Sequence, residues 1–159
     1  ILTMSQIIIR PITSDDEAFL WQMLYYAALM NEDDNKTVED AKVDAFLKKY
    51  VEQWGKPDDL GFIAVIDQKP VGAVWIRHFE DEEYPELAIA VSPDAIGQGI
   101  GSQLLQHIIE HSKGKYTAIS LAVRTNNPAY RLYQRFGFKT TREVGNRVGT
   151  VSYEMILTL

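Results

Sequence analysis

The sequence predicts an α/β protein built on one mixed sheet with helices on both faces. Three observations lead there. Short apolar, β-branched runs alternate with segments of helical spacing along the chain. The nearly continuous apolar strand Leu87-Ala88-Ile89-Ala90-Val91 passes through a glycine-rich turn into a helix and then a second buried strand, Ala118 to Val123. A strand–helix–strand unit of this kind has a right-handed crossover, and strands this apolar are covered on both faces. Two further strands, near Phe138–Val144 and Val151–Leu157, turn at Gly145 and Gly149.

Each element follows from local chemistry. Ile7-Ile8-Ile9, closed by Arg10-Pro11, is a first strand. Thr13 or Ser14 followed by Asp15, Asp16 and Glu17 starts a helix whose first turn is acidic. Phe19, Leu20, Met23, Leu24 and Ala27 continue it at helical spacing, and Asn31 to Asn35 ends it as an acidic loop. A second helix is expected from Val38 to about Trp54, with Val43, Phe46, Leu47 and Tyr50 on one side and Gly55 to Asp59 as its stop. Gly61–Ile66 and Val71–His78 are strands joined by the polar turn Asp67-Gln68-Lys69-Pro70. A helix from about Gly99 to His111 and a last one from Asn127-Pro128 to Phe136, capped by Gly137, complete the pattern.

Composition narrows the function. The 159 residues are 46% hydrophobic and 24% charged, an ordinary globular mix. Disordered, collagen-like and coiled-coil chains are excluded, and a single domain over residues 1–159 is expected. Met4 is the expected natural start, so residues 1–5 are expected to be a disordered start or added residues. With 22 acidic against 16 basic side chains the net charge is −6, which argues against a nucleic-acid partner. No apolar run approaches the roughly 18 residues of a membrane span. Cysteine is absent, which excludes disulfides, thiolate metal sites and a catalytic thiol, and suits a cytoplasmic location.

The segment Leu87 to Gly101 carries the chemistry. Glycines at 97, 99 and 101 follow a buried strand and open a helix. Glycine lets backbone approach a ligand, and the free N–H groups of the helix start attract an anion, most often phosphate. A plain strand-to-helix turn is the alternative. A P-loop would need a Gly-Lys-Ser/Thr ending, whereas Gly101 precedes Ser102-Gln103. A dinucleotide fingerprint would want glycine at 102 and an acid ending the next strand, which instead ends Val123-Arg124-Thr125.

The run V-S-P-D-A-I-G-Q-G-I-G-S-Q-L-L from Val91 resembles the acetyl-CoA motif of the GNAT N-acetyltransferase superfamily. Asn126-Asn127-Pro128-Ala129-Tyr130-Arg131-Leu132-Tyr133, continuing to Gly137-Phe138, resembles that family's second motif in the right order and at a typical separation. The resemblance covers the chain from about residue 6 and implies a mostly antiparallel central sheet. It further implies acetyl-CoA as cosubstrate, with no metal. Ile89, Ala90 and Val91 would bond the pantetheine arm, and Gly97, Gln98, Gly99, Ile100, Gly101 and Ser102 would hold the pyrophosphate. Asn126 would sit near the pantetheine and Tyr133 beside the thioester sulfur. One position departs from the family: Ile96 stands where Arg or Gln is usual.

The implied reaction sets requirements. An alkyl ammonium with a pKa near ~10 must lose a proton, costing roughly 4 kcal/mol at neutral pH, and a thiolate of pKa about 8.5 must leave. The resemblance makes Tyr133 the candidate acid and Glu86, at the start of the buried strand, the candidate base, with Glu83, Tyr84 and His78 as fallbacks. Core packing of Tyr133, capping of the last helix by Asn126 and a solvated place for Glu86 are the plain alternatives. In such chains the loop between the first helices borders the acceptor, so Glu32, Asp33 or Asp34 is expected to select a cationic amine, and Tyr25 to line the pocket. His107-Ile108-Ile109-Glu110-His111 spells a zinc pattern, yet these polar residues fall opposite the apolar face Leu104, Leu105, Ile108 and Ile109, with no evident third ligand. The expected activity is acetyl transfer to a primary amine of a small molecule or peptide by direct attack in a ternary complex. The alternative is a non-catalytic acyl-CoA sensor on the same fold. Dimers are common among related proteins, so a homodimer is a candidate assembly.

Overall fold

A computed structural model describes residues 6–30 and 35–159. Its strands are β1 (Ile8–Pro11), β2 (Leu60–Ile66), β3 (Lys69–Arg77), β4 (Glu86–Val91), β5 (Ala118–Arg124), β6 (Lys139–Gly145) and β7 (Val151–Thr158). Four α-helices intervene: α1 (Glu17–Ala28), α2 (Val38–Val43), α3 (Ile100–Ser112) and α4 (Ala129–Arg135). The strands form one sheet in the order β1-β2-β3-β4-β5-β7-β6. Every neighbouring pair is antiparallel except β4 and β5. The α/β class, the mixed, mostly antiparallel sheet and the order of elements match the expectation.

Helices cover both faces because the strands bury both. On one face α3 and α4 pack Ile100, Leu104, Leu105, Ile108 and Tyr133 against Val74, Ile76, Leu87, Ile119 and Leu121. On the other, α1 packs Leu20, Met23 and Leu24 against Ile63, Ala73, Trp75 and Ala90. The acidic helix start is real and tied to β1. Thr13 N–H donates to Asp16 Oδ2 at 2.7 Å, and Arg10 grips the same carboxylate through two nitrogens at 2.8 and 2.9 Å. The β2–β3 turn is tighter than expected: Ile66 pairs with Lys69, and Asp67 and Gln68 take φ of 50° and 67°. Positive φ at both central residues matches the twist of the flanking strands.

The second helix departs from expectation. It stops at Val43 rather than near Trp54, and a single 3-10 turn, Lys48–Tyr50, follows. Asp44 is the cause. Its backbone is extended at ψ 118°, and its carboxylate accepts the Phe46 N–H at 2.8 Å, a local bond that competes with helix continuation. Asp44 also pairs with Arg147 of the β6–β7 hairpin at 3.3 Å. The expected shared face dissolves accordingly: Leu47 is buried, whereas Val43 and Phe46 are 80% and 70% exposed.

The irregular segment is held instead by β3. Arg77, 3% exposed, meets Asp59 through two bonds of 3.0 Å and donates to the carbonyls of Lys49 and Glu52 at 2.8 and 2.7 Å. The Trp75 indole N–H donates to the Tyr50 carbonyl at 2.9 Å. A buried guanidinium requires this degree of satisfaction. Asp59→Ala would strand it without its counter-ion, at an expected cost of about 3–5 kcal/mol by urea unfolding. A loss below ~1 kcal/mol would mean the pair contributes no more than a surface bridge.

Candidate functional site

The two central strands part company. β4 and β5 share a single register pair, Glu86↔Ser120, secured by Ser120 N–H donating to the Pro85 carbonyl at 2.9 Å. Beyond it the strands diverge, which opens a gap along β4. Ladder alternation sorts the groups that face this gap. Ser92 N–H bonds the Val71 carbonyl at 2.8 Å, and the β3–β4 register is unbroken, so Ala90 and Ala88 direct their backbone groups to β3. Ile89 and Val91 direct theirs into the gap. Of the three residues expected to bond an extended ligand arm, Ile89 and Val91 therefore face it with their backbone, and Ala90 does not.

At the far end of β4 the chain passes through the 3-10 turn Pro93–Ala95 into the glycine turn. Gly97 and Gly99 have φ of 89° and 78°, a region that costs an L-residue about 1–2 kcal/mol. No atom approaches within 4 Å of where their Cβ atoms would lie, so the loop is open and glycine is needed for φ alone. α3 starts at once, and its first intrahelical bond from the turn is Gln103 N–H to the Gly99 carbonyl. The N–H groups of Ile100, Gly101 and Ser102 precede that bond and are left for an anion. Gly101 lies beside α4, where a Cβ would meet Leu132 Cδ2 at 3.7 Å. Ile96 is 67% exposed and adds no polar group.

Across the gap, α4 follows β5 through Thr125-Asn126-Asn127-Pro128. Asn127, not Asn126, caps the helix: its Oδ1 accepts the Ala129 N–H at 2.9 Å. Asn126 is exposed and lines a cleft of about 420 Å³ with Thr125, Asn127, Tyr130, Arg131 and Gln134. Tyr133 is buried, edge-on to Phe138 with centroids 6.1 Å apart, and burial lifts its phenol to about 12.

Glu86 stands where β4 meets β5. Strand alternation puts its side chain on the α1 face with Ala88 and Ala90, while Tyr133 belongs to the opposite face. Burial pushes Glu86 up to about 7; the Tyr50 hydroxyl and Lys49 pull it down, and Glu82 and Glu154 raise it further. Tyr50 is itself held above its ordinary value by burial and by Glu86. Glu82, raised mainly by burial, keeps one buried oxygen without a hydrogen-bond partner among the described residues. Its carbonyl meets His78 Nε2 at 3.1 Å. Tyr50 and Glu82 escaped the sequence reading: a tyrosine at helical spacing reads as core, and one acid in a run of four reads as solvated.

Tyr25 is half-buried on the α1 face, 5.6 Å from the Tyr26 ring. Glu32, Asp33 and Asp34 lie outside the described residues. Glu83 is exposed and Tyr84 partly so. His107 and His111 stack at 4.4 Å and lean on Phe62 at 4.5 and 4.8 Å, and His111 Nδ1 lies 2.8 Å from the His107 carbonyl. This is a packing role. Among the described residues no group of three or more His, Asp or Glu is placed to hold a metal ion, and no helix is long and apolar enough to cross a membrane.

Comparison with known proteins agrees with this geometry. The chain is 34% identical over 141 residues to an uncharacterised N-acetyltransferase of Methanocaldococcus jannaschii, covering 82% of this chain and 60% of that protein. It is 38% identical over 77 residues to the spermine/spermidine N(1)-acetyltransferase of Bacillus subtilis, covering 46% of this chain and 43% of that one. The chain thus spans less than two thirds of either relative. Its fold superposes, with a TM-score of 0.70 and 19% identity over 97% of this chain and 99% of the other, on the PaiA N-acetyltransferase of Thermoplasma acidophilum, solved in complex with coenzyme A. Residues 20–138, from α1 to the turn after α4, match the sequence model of the Acetyltransferase (GNAT) family, and the chain belongs to that family.

Proposed function

We propose that the chain transfers an acetyl group from acetyl-CoA to a primary amine by direct attack in a ternary complex. The observation that carries this reading is the parting of β4 from β5, with open N–H groups at one end and Glu86 at the other. The residues fit acetyl-CoA. Gly97 to Ser102 would take its pyrophosphate on backbone N–H groups, and the free edge at Ile89 and Val91 would take the pantetheine as a strand takes a neighbour. From Leu87 to Val91 that edge runs roughly 13 Å. Bound there, acetyl-CoA supplies an acyl group already activated as a thioester.

The chain's own groups do the proton work. Glu86 near 7 is balanced between its forms at neutral pH, which suits a base that accepts the ammonium proton directly or through water. Tyr133 near 12 stays protonated and can donate to the leaving sulfur. No nucleophilic thiol exists for a covalent intermediate. The three carboxylates Glu82, Glu86 and Glu154 and the spermine/spermidine relative both support a cationic acceptor. The absence of cysteine supports a cytoplasmic location.

Titration calorimetry tests the cosubstrate. Acetyl-CoA is expected to bind while NAD and ATP do not, and release of CoA thiol with an amine panel then tests turnover. Binding without turnover for any amine would favour an acyl-CoA sensor; no binding would overturn both readings. Gly99→Ala is expected to weaken acetyl-CoA binding about 5- to 30-fold, because regaining the left-handed turn would cost ~1–2 kcal/mol. Unchanged affinity would take the turn out of the site.

Glu86 makes a prediction of opposite sign for activity and stability. Its folded value of about 7 lies above the ordinary 4.5, so the folded chain holds this proton more tightly than the unfolded one. Stability from this group is complete below pH 4.5 and is lost as pH rises through 7, roughly 3 kcal/mol in all. Glu86→Gln should therefore raise Tm at pH 8 relative to the parent protein and leave it unchanged at pH 4. The same variant should lose on the order of 10²-fold or more in acetylation rate together with the acid limb of the pH–rate profile. An acid limb that survives intact would remove Glu86 from the chemistry.

A further inference from the structure

The chain from His78 to Ser112, which holds β4, the glycine turn and α3, contains no lysine or arginine. It does contain Asp94, and Lys69 of β3 pairs with that carboxylate at 3.1 Å. Phosphates seated on the N–H groups of the turn would therefore meet no cationic side chain from their own segment. The helix that touches the turn is α4: a Cβ at Gly101 would lie 3.7 Å from Leu132 Cδ2. Leu132, Tyr133 and Phe136 turn the other way into the core. Arg135 follows Leu132 by three positions, and Arg131 lies one turn before Arg135. Helical spacing thus sets both arginines on the exposed side of α4 next to Leu132. Arg131 also lines the cleft of about 420 Å³ together with Asn126 and Gln134.

These two arginines differ from the rest. Arg10, Arg77, Arg142 and Arg147 each meet a carboxylate, whereas Arg131 and Arg135 meet none among the described residues. In a chain of net charge −6, carboxylates are plentiful. Like charges one helical turn apart repel each other. The C-terminus of α4 offsets this for Arg135, but not for Arg131 one turn earlier. Two cations set side by side without a counter-ion suit an anion supplied from outside. We propose that Arg131 and Arg135 bind the phosphate monoester on the ribose of acetyl-CoA and select it over the dephospho form. The assignment rests on the reading of acetyl-CoA as cosubstrate, and adds the residues that recognise its nucleotide end. With the acyl end in the gap and the pyrophosphate on the turn, the nucleotide is left on the solvent side, where α4 presents its arginines. A phosphate monoester carries a charge of about −1.5 to −2 at neutral pH, and a guanidinium offers it paired donors in a matching fork.

Titration calorimetry with acetyl-CoA and with acetyl-dephospho-CoA, which lacks only that phosphate, tests the site. It should be run on the parent protein, on Arg131→Gln and on the double variant Arg131→Gln/Arg135→Gln. The parent is expected to bind acetyl-CoA about tenfold more tightly than the dephospho form, or better. Arg131→Gln should lose most of that preference and the double variant all of it. Affinity for acetyl-dephospho-CoA should stay unchanged throughout. That unchanged affinity shows the turn and the gap to be intact, so a misfolded variant cannot mimic the result. Equal affinity of the parent for the two ligands overturns the proposal and leaves acetyl-CoA as cosubstrate. An equal loss for both ligands in the variants does the same, since the arginines would then act on something other than the monoester. Binding of neither ligand by the parent removes the cosubstrate reading and this site with it.

Discussion

The structure turns on a pairing that is made once and then abandoned. β4 and β5 are the parallel neighbours of the sheet, and they touch at Glu86↔Ser120 alone. Each has a full antiparallel partner on its other side, β3 and β7, so neither depends on the shared ladder for its place. The backbone groups of Ile89 and Val91 are consequently left as an open edge inside the sheet rather than at its rim. An unpaired edge within a sheet is an unmet hydrogen-bonding demand that an extended amide-bearing ligand can fill.

Everything else in the site is referred to that gap. One end is the glycine turn, where two left-handed residues bring the chain straight into α3 and expose the helix's first N–H groups. The other end is the junction itself, where Glu86 leaves β4 on the α1 face, while Tyr133, carried by α4, packs on the opposite face of the sheet. Tyr133 enters an apolar core that keeps its proton on. Glu86 is lifted to about 7 by burial first, with Glu82 and Glu154 adding to it. A group that stays protonated and one that exchanges its proton near pH 7 are the pair that the proposed acyl transfer to an amine would use.

The position of Tyr50 follows from where α2 stops. A helix running from Val38 to Trp54 would have laid Tyr50 along a regular face. Asp44 bonds the Phe46 N–H, the helix ends, and the following turn is taken over by the indole of Trp75 and the guanidinium of Arg77. The buried Arg77–Asp59 pair is thus part of the scaffold that holds this segment, which gives a reason for keeping a costly buried charge.

The sequence by itself determined the order of elements, the buried strand at 87–91, the glycine turn, the helix caps and both motifs that mark the family. These are local: strand and helix periods, glycine's access to positive φ and the start of a helix are written within a dozen residues. The base candidate Glu86 was legible only through resemblance. Its perturbation was not, because it comes first from burial in the tertiary structure and then from Glu82 and Glu154, which lie on different segments. Tyr50 and Asp59 read locally as a helix-face residue and a turn residue. The tertiary structure decided otherwise, since β3 reaches them across 18 and more positions of sequence through side chains whose partners no local pattern names. Asn126 and Asn127 make the same point at short range: either asparagine could cap α4, and the path of the chain gave the cap to Asn127 while both line the cleft.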